Sequence, residues 1–142
     1  MIISIDGNSI GKMIEKYILA EKLSELEDFS RSISDYLIRI KGIIERYAGK
    51  VYMCGGDNIL ACIDDDKSNV IIDEIIKLKP PSSSSFSIGC GDTASLAFLA
   101  LAQRKSCPAS HVSVTFCKIE NNEIVFQEKY RESKANMSDR TC

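Results

Sequence analysis

The chain has 142 residues, with 18 Lys and Arg against 20 Asp and Glu, a formal net charge of −2 and 44% hydrophobic residues. This length predicts one domain with a hydrophobic core large enough to need no disulfide bonds or structural metal, and the hydrophobic fraction excludes wholesale disorder. The mild acidity excludes a generic duplex-binding protein, which needs clustered positive charge. The apolar runs are far shorter than the roughly 20 residues that span a bilayer, and no basic stretch precedes the first run. We therefore expect a cytoplasmic protein with no membrane partner.

The first half of the chain alternates short apolar runs with stretches in which apolar residues recur every three or four positions. The short runs predict strands and the longer periodic stretches predict amphipathic helices. Gly55-Gly56-Asp57-Asn58 separates two of the runs and predicts a hairpin turn. The predicted elements are a strand over 2–6 that stops at a glycine, helices over 9–23 and 25–47, and strands over 51–54 and 59–63.

The second half continues in the same way and closes with a predicted hairpin around Asn121-Asn122. Pro80–Ser85 is a loop, and Ser68 and Asp92 are the expected N-caps of the helices that follow them. The predicted elements are helices over 68–78 and 93–105 and strands over 86–90, 111–117 and 123–128. We expect one domain over 1–130 and a loose polar tail over 131–142.

The order of these elements is β-α-α-β-β-α-β-α-β-β, and its central part is the ferredoxin-like β-α-β-β-α-β unit. This order predicts an α+β fold with an antiparallel sheet and helices packed on one of its faces. We expect the strands 2–6 and 51–54 to lie side by side at the centre of the sheet. Asp6, at the end of the first strand, then meets Asp57, at the tip of the hairpin, at one edge.

Two converging carboxylates are hard oxygen ligands that favour Mg²⁺ or Mn²⁺ over zinc. Glycines beside both acids permit a bulky ligand to approach the backbone, and amides after Gly7 can receive phosphate oxygens. A metal pair held by Asp6 and Asp57 would activate a 3′-hydroxyl and stabilise leaving pyrophosphate. Each motif alone is also typical of an ordinary hairpin turn or a helix cap, and their joint occurrence in this strand order favours the metal site.

Two motifs carry a resemblance to a known family. Asp6-Gly7-Asn8-Ser9-Ile10-Gly11, the long helix pair and Cys54-Gly55-Gly56-Asp57-Asn58-Ile59-Leu60 resemble the minimal CRISPR polymerase (mCpol) family. That family is a stand-alone relative of the palm of the type III CRISPR polymerase and, more distantly, of GGDEF nucleotide cyclases. The resemblance covers about residues 1–128. It implies a palm-like nucleotidyltransferase that condenses ATP or other NTPs into a cyclic di- or oligonucleotide, a signal read by a separate effector in antiphage defence.

The resemblance also implies roles for individual residues. Asp6 and Asp57 match the catalytic metal ligands, and the Gly7 carbonyl matches a further ligand. Lys105, at the end of a helix that resembles the closing helix of GGDEF domains, matches a phosphate-binding lysine, although a lysine is also favoured at any helix C-terminus. The nucleotide-binding residues implied are Asn8, Ser9, Ile10, Gly11, Gly55, Gly56, Asn58 and Lys105. A palm of this size needs two facing triphosphates to close a ring, so a symmetric homodimer is expected.

The chain departs from the family at two positions, because Asn8 and Asn58 stand where DGD and GGDD motifs carry acids. Asparagine keeps an oxygen ligand but removes negative charge, so a degenerate palm that senses a nucleotide without turnover is the alternative function. A ferredoxin-like RNA-binding module is a third possibility, and it is disfavoured because Met53 and Cys54 lie where stacking aromatics are needed.

Several other polar residues have an ordinary structural explanation. Asp64–Asp66 is typical of a solvated turn, His111 of a surface residue, and Arg104 of either a phosphate ligand or a helix-end ion pair. Of the six cysteines, none has CxxC spacing, and His111 is the only histidine. We expect reduced thiols, with Cys54, Cys62, Cys90 and Cys117 packed in the core as small hydrophobes.

Overall fold

The computed structural model describes residues 1–107 and 111–130. Its strands are β1 (Ile2–Asn8), β2 (Lys50–Gly55), β3 (Asn58–Cys62), β4 (Ser85–Gly91), β5 (Val112–Glu120) and β6 (Glu123–Tyr130). Its helices are α1 (Ile10–Leu19), α2 (Leu23–Arg46), α3 (Asp65–Lys77) and α4 (Ala94–Ser106). The element order is the predicted one. The tail predicted over 131–142, with Cys142, lies outside the described residues.

The six strands form one sheet in the order β2-β3-β1-β4-β5-β6. The first four strands pair antiparallel in the ferredoxin-like order, and the α+β, palm-like fold is confirmed. The sheet is mixed rather than wholly antiparallel, because α4 carries the chain back so that β4 and β5 run parallel. β1 lies between β3 and β4, so the expectation that β2 is its neighbour is wrong: the hairpin places β2 outermost.

One face of the sheet, here called the inner face, packs against α2 and α3. Its side chains form the hydrophobic core together with apolar residues of these helices, such as Ile40 and Ile72, which are fully buried. Opposed residues in neighbouring strands share a face, and the register therefore aligns these core positions across the sheet. The fully buried residues of the inner face include Ile3, Ile5, Ile59, Ile88 and Val114.

The opposite face, here called the outer face, carries α4, so the expectation that all helices share one face is wrong. Gly89 and Gly91 leave this face of β4 without side chains. A Cβ at Gly89 would overlap backbone atoms of Ala97 and Leu101, and one at Gly91 would lie 2.6 Å from the amide nitrogen of Ala97. This close approach explains why a helix of small residues packs directly on β4.

Element boundaries differ from the predictions at positions of special backbone geometry. β1 continues through Gly7 and Asn8 because both still pair with β4. α1 ends at Leu19, shortly before Glu21, whose φ of 54° is left-handed. Both predicted hairpins are present. Gly56 has a φ of 61° in a two-residue turn, a position at which glycine is favoured.

The starts of α3 and α4 correct two predicted caps. α3 begins at Asp65, so Asp65 and Asp66 occupy a first helical turn, where the helix dipole favours acids, rather than a solvated turn. Ser68 is therefore inside the helix and donates to the carbonyl of Asp65. At α4 the N-cap is Thr93, whose hydroxyl accepts from the amide of Leu96 at 3.2 Å, and not Asp92.

The described cysteines are all free thiols. Cys90 and Cys117 are buried, and burial raises the pKa of Cys90 to about 12. Cys54 is exposed, so its assignment to the core is wrong, because it lies near the end of the outermost strand β2, where little packs against it. Of the four helices within the described residues, none is long and apolar enough to cross a membrane.

Candidate functional site

Several strand termini meet at one end of the sheet, here called the site end. β1 finishes there, and Asp6 pairs with Asn58 at the start of β3 while Asn8 pairs with Ser85 at the start of β4. The hairpin turn bends over the end of β1, and the amide of Gly7 donates to the carbonyl of Asp57 at 3.0 Å. The structure therefore brings Asp6 and Asp57 together, as the sequence predicts.

Gly7 makes this close approach possible. A Cβ at Gly7 would lie 3.1 Å from Oδ2 and 3.2 Å from Cβ of Asp57, and it would overlap the side chain of Ile10. A larger residue would force the Ile10 side chain to move and would crowd Asp57. The glycines at the other side of the turn have a different surrounding, because a Cβ at Gly55 or Gly56 would meet no atom within 4 Å. The approach to Asp57 from that side is open.

The charged groups that the described residues bring together around Asp6 are the carboxylates of Asp6 and Asp57 and the ammonium group of Lys105. Asp57 is half-buried, and burial, followed by the negative charge of Asp6, raises its pKa. Lys105 opposes this increase, and its ammonium group forms an ion pair with the carboxylate of Asp6. One lysine against two acids leaves an excess of negative charge, and a cation would relieve it.

Asn8 is buried, and both ends of its side-chain amide are used inside the protein. Its Oδ1 accepts from the hydroxyl of Ser87 at 2.9 Å, and its Nδ2 donates to the hydroxyl of Ser85 at 3.1 Å. Asn8 therefore joins the end of β1 to the start of β4. The side chain of Asn8 belongs to this internal network, and the nucleotide-binding role that the resemblance implies for it stays a prediction.

The start of α1 lies beside the hairpin. Ser9 has a φ of 60° and its side chain makes no capping hydrogen bond, whereas Ile10 is buried in the core. Gly11 is exposed and borders a cavity of about 240 Å³ next to Asp57. The cavity is lined by Ile10, Gly11, Ile14, Phe29, Ser30, Ile33, Gly56 and Asp57.

The end of α4 carries two basic residues with different surroundings. Lys105 reaches Asp6, because α4 runs back along β4 towards the site end. Arg104 is only 3% exposed, forms an ion pair with Glu128 at 3.1 Å and donates to the carbonyl of Cys107. These contacts favour the ion-pair explanation for Arg104 over a phosphate ligand. His111 is exposed, as expected.

The donors present fit a magnesium or manganese ion. Asp6 and Asp57 supply hard carboxylate oxygens at a point of excess negative charge. The described residues contain no group of three or more His, Cys, Asp or Glu able to hold a metal. Such an ion would therefore take its other ligands from main-chain carbonyls, water or phosphate oxygens, as Mg²⁺ commonly does.

Sequence comparison gives one family match. The family described as the minimal CRISPR polymerase domain, mCpol, matches residues 2–116. The chain belongs to the mCpol family. The matched segment contains both aspartates, the hairpin and all of α4. No curated protein matches the chain.

Three residues that shape this mCpol site were not singled out by sequence reasoning. Ser85 and Ser87 hold Asn8, and Glu128 pairs with Arg104 next to Lys105. Ser85 ends the predicted loop 80–85 and Ser87 lies within the predicted strand 86–90, and both lie outside the two motifs around Asp6 and Asp57. A usable signal exists, since a serine inside the apolar run 86–90 implies a buried hydroxyl that needs a partner.

Proposed function

We propose that this mCpol domain is a nucleotidyltransferase that condenses ATP, or other NTPs, into a cyclic di- or oligonucleotide. The family supports the coarse class, a CRISPR-associated, polymerase-like domain. The observation that carries the proposal is the convergence of Asp6 and Asp57 at an open end of the sheet. In this proposal the product is a signal in antiphage defence, and a separate effector binds it in the cytoplasm.

The proposed metal ligands are Asp6 and Asp57, with the carbonyl of Gly7. A bound Mg²⁺ or Mn²⁺ would supply Lewis-acid activation of the 3′-hydroxyl and stabilise the charge of the leaving pyrophosphate. Asp57 must be ionised to bind the ion, and a metal would reverse the effects of burial and of Asp6 that raise its pKa.

The proposed substrate contacts lie around these acids. Gly55 and Gly56 leave open space for a triphosphate, and the start of α1, over Ser9–Gly11, offers main-chain amides near the hairpin. Asn58 is half-exposed next to Asp57, and Lys105 supplies the positive charge beside Asp6. We expect two such sites to face each other in a symmetric homodimer, so that two triphosphates react to close a ring.

The structure also supports a second candidate function, a nucleotide sensor without turnover. The side chain of Asn8 makes hydrogen bonds to Ser85 and Ser87, and Asn58 carries no charge, so the two motifs supply two acids, Asp6 and Asp57, among the described residues. A site with two acids holds two divalent ions less tightly than a site with four. In this case nucleotide binds and no pyrophosphate is released.

The test incubates the purified chain with each NTP and Mn²⁺, and measures pyrophosphate together with chromatographically resolved products. We expect turnover by the unmodified chain and a loss of at least about 100-fold in Asp57→Asn. Asp35→Asn is the matched control, because Asp35 is exposed on α2, and its turnover stays unchanged. Tight binding without pyrophosphate release supports the sensor, and the absence of both binding and turnover contradicts both functions.

A further inference from the structure

Lys105 makes an unusual contact for a residue expected to bind phosphate. Its ammonium group lies against the carboxylate of Asp6, one of the two proposed metal ligands. The contact joins residues that are 99 positions apart, so the fold creates it rather than local helix chemistry. A helix-end lysine acting only on the helix dipole would point to its own carbonyl groups.

The contact places a cation where a metal ion would bind. The side chain of Asp6 is 24% exposed and that of Lys105 is 39% exposed, so the ion pair is open to solvent. An ammonium group and a divalent cation seek the same oxygens, and they repel each other when both are close. Lys105 and the metal therefore exclude each other from Asp6.

The backbone next to Lys105 is anchored through Arg104, whereas the Lys105 side chain is held by one partly exposed ion pair. Arg104, the preceding residue, is buried and fastened to Glu128 on β6 and to the carbonyl of Cys107. Thr115 on β5 pairs with Glu128 and is buried, on the face of the sheet that α4 covers. The ion pair of Lys105 with Asp6 is partly exposed and such a pair is weak, so little free energy opposes its replacement by a metal ion.

We propose that Lys105 is an internal counter-ion that holds Asp6 until metal arrives, and that metal binding releases it to the triphosphate. This inference rests on the proposed function and adds an order of events to it. The free protein avoids two unneutralised carboxylates at the site end. Metal loading then converts Lys105 from a partner of Asp6 into a free positive charge beside the incoming phosphates.

The inference predicts effects of opposite sign in one variant. Removing the charge in Lys105→Met removes the competitor for Asp6, so Mn²⁺ binds about threefold to tenfold more tightly. The same variant, saturated with Mn²⁺, binds ATP about tenfold more weakly, because the phosphates lose their lysine. A merely structural lesion weakens both. Isothermal titration calorimetry on the full chain measures both, with Mn²⁺ alone as the first titrant.

Two variants serve as controls. Lys105→Arg keeps the charge and binds Mn²⁺ within about twofold of the unmodified chain. Lys77→Met removes an exposed lysine from the last turn of α3 and leaves both affinities unchanged. The effect of Lys105→Met on Mn²⁺ affinity also shrinks as salt rises, because screening weakens competition between charges.

The outcomes separate the inference from the function on which it rests. If the unmodified chain binds Mn²⁺ and Lys105→Met binds it equally or more weakly, the competition is refuted and the proposed function stands. If neither protein binds Mn²⁺, the metal-dependent function fails and the inference fails with it. Tighter metal binding combined with weaker nucleotide binding supports the inference and the metal-dependent nucleotide binding on which it rests.

Discussion

The two faces of the sheet differ in chemistry: the inner face is apolar and forms the core, and the outer face carries polar residues of the site end. On the inner face, residues such as Ile5 and Ile88 are fully buried against α2 and α3. On the outer face, the neighbouring positions Asp6 and Ser87 are polar, and Ser87 and Asn8 are buried in a hydrogen-bonded network next to α4. Alternation along each strand therefore separates packing from site chemistry, residue by residue.

This difference implies that the two faces respond differently to mutation. The inner face is apolar and makes non-directional contacts, so a truncation there costs stability in proportion to the volume lost. The outer face contains buried hydroxyls of Ser113 and Thr115 and the charge of Arg104, and small shifts there change where Lys105 and Asp6 lie. Adjacent residues of β4 allow the contrast to be tested without changing the element.

The largest effect is expected from Ile88→Ala on the inner face. Ile88 is fully buried, and the lost methyl groups together with the cavity cost about 4 kcal/mol. Urea unfolding measures the loss, and the remaining folded protein should bind Mn²⁺ with nearly normal affinity. A large fall in metal affinity at a temperature where the variant is still folded would show that the faces are not separate.

Gly89→Ala, at the residue after Ile88, tests the outer face with a comparable loss of stability. Its Cβ would lie 2.8 Å from the Cα of Leu101 and overlap other backbone atoms of α4, so the helix must move, at a cost of about 3 kcal/mol. Because α4 carries Lys105, nucleotide affinity falls as well. Gly42→Ala, where a Cβ meets nothing within 4 Å in α2, is the control and should stabilise slightly.

The contrast between the faces also explains how much of the fold could be predicted. The inner face is periodic in apolar residues, so the helices and strands that contribute to it were located to within a few residues. The face on which α4 packs was predicted wrongly. α4 packs on β4 where Gly89 and Gly91 have no side chains, and an apolar pattern does not register missing side chains. Periodicity does not reveal which face a helix of alanines and leucines covers.

The site was predictable for a different reason. Asp6 and Asp57 stand out as acids beside glycines at the ends of apolar runs, and the hairpin turn brings Asp57 to the end of β1 although β3, not β2, is the neighbouring strand. The bond of Asn8 to Ser85 and Ser87, and the ion pair of Lys105 with Asp6, depend on side-chain directions across β1, β4 and α4. The spacing of residues in the sequence does not show which side chains face each other across β1, β4 and α4. The strand register and the helix position of the folded chain show it.

Ser87→Ala should show a smaller effect that falls mainly on the site. The variant removes the hydroxyl that donates to Oδ1 of Asn8 and costs about 1 kcal/mol. Asn8 then loses one of its two anchors, and the end of β1 that carries Asp6 becomes less fixed. Calorimetry with Mn²⁺ should show weaker binding than in Ser82→Ala, a control in the exposed loop. Equal affinities would mean that Asn8 does not position Asp6.

Asp57→Asn should have the smallest effect on stability, and its sign is opposite to the others. Burial and the charge of Asp6 raise the pKa of Asp57, so the folded chain holds this proton more tightly than the unfolded chain. Such a group opposes folding above its folded pKa, and the penalty vanishes as the pH falls below the unfolded value, near 3.9. Metal-free Asp57→Asn is therefore more stable than the unmodified chain at pH 7, by about 0.5 kcal/mol, or about 1–2 °C in Tm.

The stability gained in Asp57→Asn should depend on pH and on metal, and this dependence identifies its cause. The gain should disappear towards pH 3, and thermal unfolding with Mn²⁺ at pH 7 should reverse the order, because only the unmodified chain keeps both carboxylate ligands. A gain that persists unchanged at low pH would assign it to packing rather than to charge. The expected result means that the free protein gives up stability at the hairpin turn, at a carboxylate whose charge a bound metal would neutralise.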